Sequence, residues 1–536
     1  MAGGLLQLVA NGQANTILTG NPTTTFFKAV YKHHTPFGLQ RFRMDYNGLR
    51  NLAFDAPTEF NFKIPRYAEM LWDTYVVLNL PDIWSPLYDT SYCNTYNFKW
   101  IKNVGFNMIK QITINSGGGI LAQYSGEWMQ NAINRDDVNK KGLIDRMVGN
   151  IPELYDPKSG YTKQYPNAFK PRPPSPASGE CEPSIRGRQL YIPLMAWFCN
   201  STKTALPLIA LQYQEININI EFRSVKELFT IQKPDKSVLA PNSADIQDQM
   251  WRFIQEPPIT DKDKTVQDIT ALYKNRRNDW NTDIHLIGTY IFLGDEERRV
   301  MAAQESQTLI KMQYEWDYLN TTGSTRVDVP SRDMVSSYMW RFRRSDVGER
   351  NEWSNYQNYM YEDANPIFPL YDISGHLELP SKRTLKFTGP RKIKNIKDIM
   401  IDMALLCGQD YRETTHNAGV YSYVEKWNRT TGIAKDGLFC YNFCTNTNRL
   451  VYQPTGAQNT NKWKHLTFEF NTIHPPQNLN NEESLINVMC DPSGNIIGVR
   501  KNIWEMNAYN YDLRIFEERY NIIEIMGGRI GLMSAR

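Results

Sequence analysis

Apolar and polar side chains alternate along many short stretches of the chain. Within Glu59–Arg66, Phe60, Phe62 and Ile64 fall on one face and polar residues on the other. A period of two residues is typical of a β-strand with one buried face, and proline and glycine between such stretches indicate turns. The pattern recurs at Lys110–Ser116, Asp283–Leu293, Thr308–Trp316, Ser337–Arg344, His465–Phe470 and Ala508–Ile525. It predicts an all-β protein with many short strands.

The segment Ala205–Phe222 begins as an apolar run and ends in strict alternation. Its last part, Ile216–Phe222, places three isoleucines and a phenylalanine on one face and is predicted to be a half-buried strand. Before it, Leu211 and Tyr213 fall on the opposite parity, and a slip of one residue moves side chains across the sheet. The sequence therefore predicts either a β-bulge near Gln214 or a strand buried on both faces at its start.

Helical patterns are few and short. Tyr124–Gly149 predicts one or two short helices with Ser125 as the N-cap. Asp295–Ser306 predicts a helix that links two β domains of similar size, with its charges on a solvated face. Three stretches are predicted to be long loops: Lys170–Pro183, Lys233–Lys264 and Val347–Asp372.

The composition is that of an ordinary globular protein, with 41% hydrophobic and 22% charged residues among 536. The net charge of +3 gives no general electrostatic case for binding nucleic acid or an anionic membrane. No run of apolar residues is long enough for a transmembrane helix. The seven cysteines are odd in number and scattered, and the first residues lack a secretory pattern, so we expect reduced thiols and folding in the cytosol.

Motifs for common enzyme chemistry are missing from the sequence. We find no GxSxG, GxxxxGK[ST], GxGxxG or HExxH. His33 and His34 are adjacent and would point to opposite faces of a strand, which makes them poor ligands for one metal ion. The basic stretch Arg341–Arg344 is interpreted as a half-buried strand, with Phe342 on the face opposite Arg341 and Arg343. We therefore predict no catalytic, cofactor-binding or metal-binding residues.

Three Asn-x-Ser/Thr sequences mark candidate glycosylation sites at Asn200, Asn320 and Asn428. Such matches arise by chance in an Asn-rich chain, and without a secretory signal the unmodified side chains are favoured. From the residues alone, two functional classes stay open. One is a structural or assembly protein. The other is a carbohydrate-binding or glycoside-acting β-sandwich protein that uses its many aromatic residues to bind sugars, with two carboxylates in a cleft if it is a glycosidase.

Leu5–Phe37 runs from a start of small residues through a Leu-Thr-Gly-Asn-Pro turn to Thr-Phe-Phe-Lys, and Leu190–Phe222 forms a second long block. These blocks resemble the major capsid proteins of nucleocytoplasmic large DNA viruses. The first is similar to the opening of that family and the second to its most recognisable internal block, with Gln214 where a histidine is more usual. Further similar blocks follow in order: Tyr290–Ile310, Arg350–Tyr359, Leu450–Phe470 and Asn507–Arg536. The ordered succession spans nearly the whole chain, which makes the resemblance specific.

The resemblance implies a double jelly roll, two eight-stranded antiparallel β-sandwiches in one chain with long loops and few short helices. It implies an N-terminal arm at residues 1–26, a first jelly roll at 27–303 and a second at 304–536. It also implies a structural virion protein without enzymatic activity or cofactor. Homotrimeric, pseudo-hexagonal capsomers would tile an icosahedral capsid, assembled in the host cytoplasm. A less abundant capsid paralogue of the same fold is the alternative.

The implied partners are neighbouring capsomers and minor capsid proteins beneath the shell. An internal viral membrane would lie nearby, without a transmembrane span in this chain and without direct contact with nucleic acid. The long loops Lys170–Pro183 and Val347–Asp372 are expected to form the exposed crown of the tile.

Overall fold

The computed structural model describes residues 2–85, 96–160, 165–168, 182–232, 238–257, 271, 273–358, 361, 376–378, 384–388, 397–433, 435–451, 453–463, 465–474, 486–490, 496–501 and 509–534. Sixteen of its strands form two antiparallel jelly rolls. Each roll consists of two sheets, and each sheet is built on four main strands.

The first roll contains eight strands. They are β1 Phe37–Asp45, β2 Thr58–Lys63, β3 Met70–Leu80, β4 Ile109–Ser116, β5 Gly119–Tyr124, β6 Arg188–Pro193, β7 Ile216–Phe222 and β8 His285–Leu293. One sheet has the order β1-β8-β3-β6, and the other has the order β2-β7-β4-β5. This is the strand arrangement of a jelly roll, in which strands distant in the chain become neighbours.

The second roll repeats that arrangement. Its strands are β9 Ser306–Tyr318, β10 Ser324–Val329, β11 Met334–Arg344, β12 Met400–Cys407, β13 Asp410–Asn417, β14 Leu438–Asn442, β15 Leu466–Thr472 and β16 Tyr511–Met526. The sheet orders are β9-β16-β11-β14 and β10-β15-β12-β13. The predicted double jelly roll of two eight-stranded sandwiches is confirmed.

The remaining strands extend these sheets or form three smaller sheets of their own. They lie at Asn51–Leu52, Asn97–Trp100, Leu206–Pro207, Phe229–Gln232, Val238–Leu239, Trp280–Asn281, His376–Glu378, Thr384–Thr388, Gln458–Asn459, Ile486–Cys490, Ile496–Lys501 and Arg529–Leu532. Of the loops predicted from the sequence, residues 170–181, 233–237, 258–264, 359–360 and 362–372 lie outside the described residues.

Alternation places the cores where the sequence predicted. In β7 the residues with one parity, Ile216 to Phe222, are all buried, and they pack with Phe60 and Phe62 of β2 in the first core. In the second roll, Trp340 stacks edge-on against Phe468 with ring centroids 5.4 Å apart. Such aromatic contacts add to the stabilisation by buried apolar area.

Both alternatives predicted for the residues before Ile216, a bulge near Gln214 and a strand buried on both faces at its start, are wrong. The strand begins only at Ile216, and the residues before it form the short strand Leu206–Pro207 and a 3₁₀ turn at Leu208–Ala210. The alternation of apolar and polar side chains shifts at Gln214 because this residue lies outside the sheet. Oε1 of Gln214 accepts hydrogen bonds from the backbone N of Ile530 (2.9 Å) and from Ser116 Oγ (3.3 Å).

The helices are short. They lie at Gly3–Val9, Thr16–Thr19, Val104–Met108, Gly126–Asp136, Lys141–Met147, Pro152–Tyr155, Trp197–Asn200, Asp295–Ala303 and Glu425–Arg429. Ser125 caps Gly126–Asp136 as predicted, because its Oγ accepts a hydrogen bond from the backbone N of Trp128 at 3.1 Å. The helix Asp295–Ala303 joins β8 to β9, also as predicted. None of the described helices has the length and apolarity needed to cross a bilayer.

Candidate functional site

A helix of the first roll is buried where the two rolls meet. This bridging helix, Gly126–Asp136, follows β5 directly, and all eleven of its residues are buried. At its N-terminus, the backbone N of Ser125 donates a 2.8 Å hydrogen bond to Oε1 of Glu315, a residue of β9. The helix therefore begins in one roll and is held by the other.

Glu127 on the bridging helix forms the first ionic cluster. Arg341 of β11 donates to both of its carboxylate oxygens, at 2.5 and 3.1 Å, and Arg514 of β16 donates to one at 3.1 Å. Burial alone would raise the pKa of Glu127. The guanidinium groups of Arg341, Arg343 and Arg514 outweigh it and hold that pKa well below its usual range.

Arg135 forms the second cluster, at the other end of the helix. It pairs with Asp136 at 2.7 Å and with Glu518 of β16 at 2.9 Å, and Ser337 Oγ donates to Glu518 at 2.9 Å. The three charged side chains are at most 4% exposed. Burial would raise the pKa of Glu518, but the neighbouring Arg135 and Lys311 lower it.

Two loops of the second roll, one before β14 and one after it, close over the C-terminal end of the bridging helix. The backbone N of Ile433 donates to the carbonyl of Asn134 at 2.8 Å, and Thr447 Oγ1 donates to Asp136 at 2.5 Å. A Cβ placed on Gly432 would lie 2.2 Å from the carbonyl carbon of Arg135, so only glycine allows this approach.

We call these charged residues the ionic seam. Its members are Glu127, Arg135, Asp136, Arg341, Arg514 and Glu518. Removing charges from water is costly, and a buried ion pair contributes little net stability even when its geometry is good. A buried charge that loses its partner is, however, strongly destabilising. A different placement of the two rolls would separate these pairs and raise the free energy of the fold. The seam therefore fixes a single relative orientation.

Only one side of the seam could be predicted from the sequence. Arg341–Arg344 ends a strand as predicted, with Phe342 in the second core. The opposite face, which we expected to be an ordinary exposed one, buries Arg341 against the bridging helix. No local pattern could reveal this, since Glu127 lies more than two hundred residues earlier.

The N-terminal arm has the opposite character. Here the name covers residues 2–36, which extend ten residues beyond the arm predicted at 1–26 and end directly before β1. The arm contains two short helices, Gly3–Val9 and Thr16–Thr19, and every residue from 2 to 36 is exposed. Its large apolar side chains are between 50% and 99% exposed: Leu5, Leu6, Leu8, Val9, Ile17, Leu18, Phe26, Phe27, Val30 and Tyr31. Large apolar side chains exposed in this number within one segment indicate a site of interaction.

The other candidate residues do not come together. His33 and His34 are exposed on the arm, and within the described ranges no group of three or more His, Cys, Asp or Glu residues could hold a metal ion. Among the sequon asparagines, Asn320 and Asn428 are exposed. Asn200 is half-buried, and its Oδ1 accepts a 3.4 Å hydrogen bond from Arg449.

Comparison with known proteins agrees with this architecture. The family model "Major capsid protein N-terminus" matches residues 25–270. The chain is 34% identical to "Probable capsid protein 4" of Acanthamoeba polyphaga mimivirus, over 43% of this chain and 40% of that protein. It is 29% identical to the "Major capsid protein" of Phaeocystis pouchetii virus, over 63% of this chain and 58% of that one. The alignments thus span about half the length of these relatives.

Among solved structures, the fold matches that of VP54 of PBCV-1, fitted into a reconstruction of the virophage Sputnik. The TM-score is 0.61 at 16% identity, over 96% of this chain and 100% of that one. At this identity the match shows the fold alone, the same double jelly roll. Together, the comparisons confirm the resemblance to the major capsid proteins of nucleocytoplasmic large DNA viruses.

Proposed function

We propose that this chain is a major capsid protein that forms homotrimeric, pseudo-hexagonal capsomers of an icosahedral shell. The observation that carries the proposal is the pair of jelly rolls with one strand order, held in a fixed relation by the ionic seam. Because each chain has two similar rolls, a trimer has six rolls around its axis. Six similar rolls around one axis approximate a hexagon. Each chain would contact the next head to tail, an interface that closes into a ring after three copies.

We also propose the division of the chain predicted from the sequence: an arm at 1–26, a first roll at 27–303 and a second at 304–536. In support, the eight strands β1 to β8 pair with one another, the eight strands β9 to β16 pair with one another, and no described pair joins the two sets. The helix Asp295–Ala303 lies between the two sets. Limited proteolysis within this helix should cut the chain once, and the two parts should stay together under native conditions.

The arm is proposed to run beneath the tile toward minor capsid proteins and an internal membrane. Its exposed apolar side chains support a role in contacts outside the folded rolls. Deleting Met1–Gly20 should leave trimers intact and prevent shell assembly. Intact shells formed by the truncated chain would contradict the placement.

The role is structural, with no enzymatic activity proposed. Electron micrographs of the assembled protein should show hexagonal arrays, and a glycan-binding and hydrolysis screen should be blank. Hydrolysis or tight oligosaccharide binding without arrays would favour the carbohydrate-acting class instead. Comparing copy number in purified virions with that of paralogous chains distinguishes the main capsomer from a less abundant one.

Surface modification remains a prediction for Asn200, Asn320 and Asn428. Exposure of Asn320 and Asn428 leaves room for a glycan, whereas the half-buried side chain of Asn200 leaves less. Assembly in the host cytoplasm favours unmodified side chains at all three. Peptide mass mapping of protein from purified virions shows, for each of the three asparagines, whether it carries a glycan.

A further inference from the structure

A lysine amine and an asparagine amide meet where the rolls join. Lys435, in the loop before β14 that closes over the bridging helix, places its Nζ 3.4 Å from Oδ1 of Asn131 on that helix. The same Nζ lies 3.7 Å from the ring centroid of Tyr356. Asn131 is 0% exposed, so the contact lies away from bulk water on the asparagine side.

The Asn131 amide is held on one side and free on the other. Its Oδ1 accepts a 3.1 Å hydrogen bond from the hydroxyl of Tyr356 in addition to the contact with Lys435. Its Nδ2 is buried and has no hydrogen-bond partner among the described residues. An unsatisfied buried donor is costly, so loss of this nitrogen would remove an unfavourable feature of the fold.

The lysine is suited to act as a nucleophile. Burial lowers the pKa of Lys435 to about 7, although the nearby Glu127 carboxylate acts in the opposite direction. A large share of the amine is therefore neutral near neutral pH. Desolvated lysines of this kind are the ones that attack carbonyl carbons in proteins.

We propose that Lys435 and Asn131 form an isopeptide bond that joins the two jelly rolls covalently. Nζ of Lys435 attacks Cγ of Asn131 and a C–N bond forms. The Tyr356 hydroxyl donates to the oxygen as negative charge develops there. The Cγ–Nδ2 bond then breaks, one proton passes from Nζ to Nδ2, and ammonia leaves. The step is an amide exchange and requires no oxidant, reductant or co-reactant.

The bond would complement the ionic seam. The seam fixes the orientation of the rolls through charges on β11 and β16, whereas the bond would fasten the loop that covers the end of the bridging helix. Since the residues are far apart in the sequence, the link would close a very long loop and constrain the unfolded chain.

Intact mass spectrometry of the denatured full-length protein tests the proposal. The wild-type mass should be lower than the sequence mass by one ammonia molecule. A proteolytic digest should contain a joined peptide with both Asn131 and Lys435. K435R and N131A should restore the full mass, and N131D should instead lose one water molecule. K141R is the matched control and should keep the deficit, because Lys141 pairs with Asp145 outside this contact.

The Tyr356 hydroxyl has its own test. In a time course after refolding, Y356F should acquire the mass deficit more slowly than the wild type while reaching the same folded state by circular dichroism. A folded wild-type protein with its full sequence mass and no joined peptide would overturn the proposal, whatever the variants do. A deficit that persists in K435R would overturn the assignment of the site.

Discussion

The ionic seam and the N-terminal arm distribute charge and apolar surface in opposite ways. In the seam, six charged side chains lie between two folded units, and all except Arg514 are at most 5% exposed. In the arm, phenylalanines lie almost fully in solvent, Phe26 at 99% and Phe27 at 97%. A globular protein normally shows the reverse of both arrangements.

The difference indicates where each region finds its partner. The charges of the seam are satisfied within the chain, so the relative placement of the rolls is complete before any assembly. The apolar side chains of the arm gain nothing within the chain and can lower the free energy only through contact with another molecule. The ionic seam therefore fixes the arrangement of the two rolls within one chain, and the arm is available for contact with another molecule.

The largest effect should come from removing a carboxylate of the seam. Glu127→Ala leaves the buried Arg341 guanidinium without the carboxylate that pairs with it. We expect a loss of about 3–5 kcal/mol in the free energy of unfolding, the usual cost of an uncompensated buried charge. Chemical denaturation followed by tryptophan fluorescence measures it.

The matched control is an exposed ion pair of the same kind. Lys63 and Glu215 pair at 2.6 Å with both side chains more than half exposed. Glu215→Ala should change the free energy of unfolding by less than about 1 kcal/mol. Equal effects for the two variants would show that the seam does not act as described.

A smaller loss is expected from the loop over the bridging helix. Gly432→Ala introduces a Cβ against the backbone of Arg135, which must shift the loop or the helix. We expect about 1–3 kcal/mol of destabilisation, the usual range for overpacking. Gly142→Ala is the control, since nothing lies within 4 Å of its Cβ and alanine favours the helix Lys141–Met147. A melting temperature unchanged in both variants would contradict the close approach.

The seam should also show a defined pH dependence. Because the pKa of Glu127 is lower in the folded state than in the unfolded state, its contribution is complete above the unfolded pKa of about 4.3. That contribution is lost as the pH falls through the lowered, folded-state pKa. The stability difference between wild type and E127Q, whose amide does not titrate, should therefore shrink on acidification. A difference that grows below pH 4 would reverse the assigned sign.

The smallest effect on stability should come from the arm. Replacing Phe26 and Phe27 by serine removes apolar surface that is already exposed, so the free energy of unfolding should change by less than about 0.5 kcal/mol. Self-association or shell assembly should nevertheless weaken, as seen by sedimentation. A large drop in the melting temperature would show that the arm packs on the rolls.

Much of the fold could be predicted because it depends on local patterns. The strand predicted at Ile216–Phe222 and the helix N-cap predicted at Ser125 are both confirmed. The bulge near Gln214 was wrong because a contact with Ile530, from the far end of the chain, draws that residue away from the sheet. The seam was missed for the same reason. Its partners lie on segments that only the folded chain brings together, and each is unremarkable in its own neighbourhood.

In the proposed capsomer, the two rolls of one chain, held in fixed relation, form one third of a ring. Light scattering on the purified full-length protein measures the number of chains directly. A homotrimer has a mass near three times 62.3 kDa, which we expect at micromolar concentration. A stable species at 62.3 kDa under those conditions would contradict it.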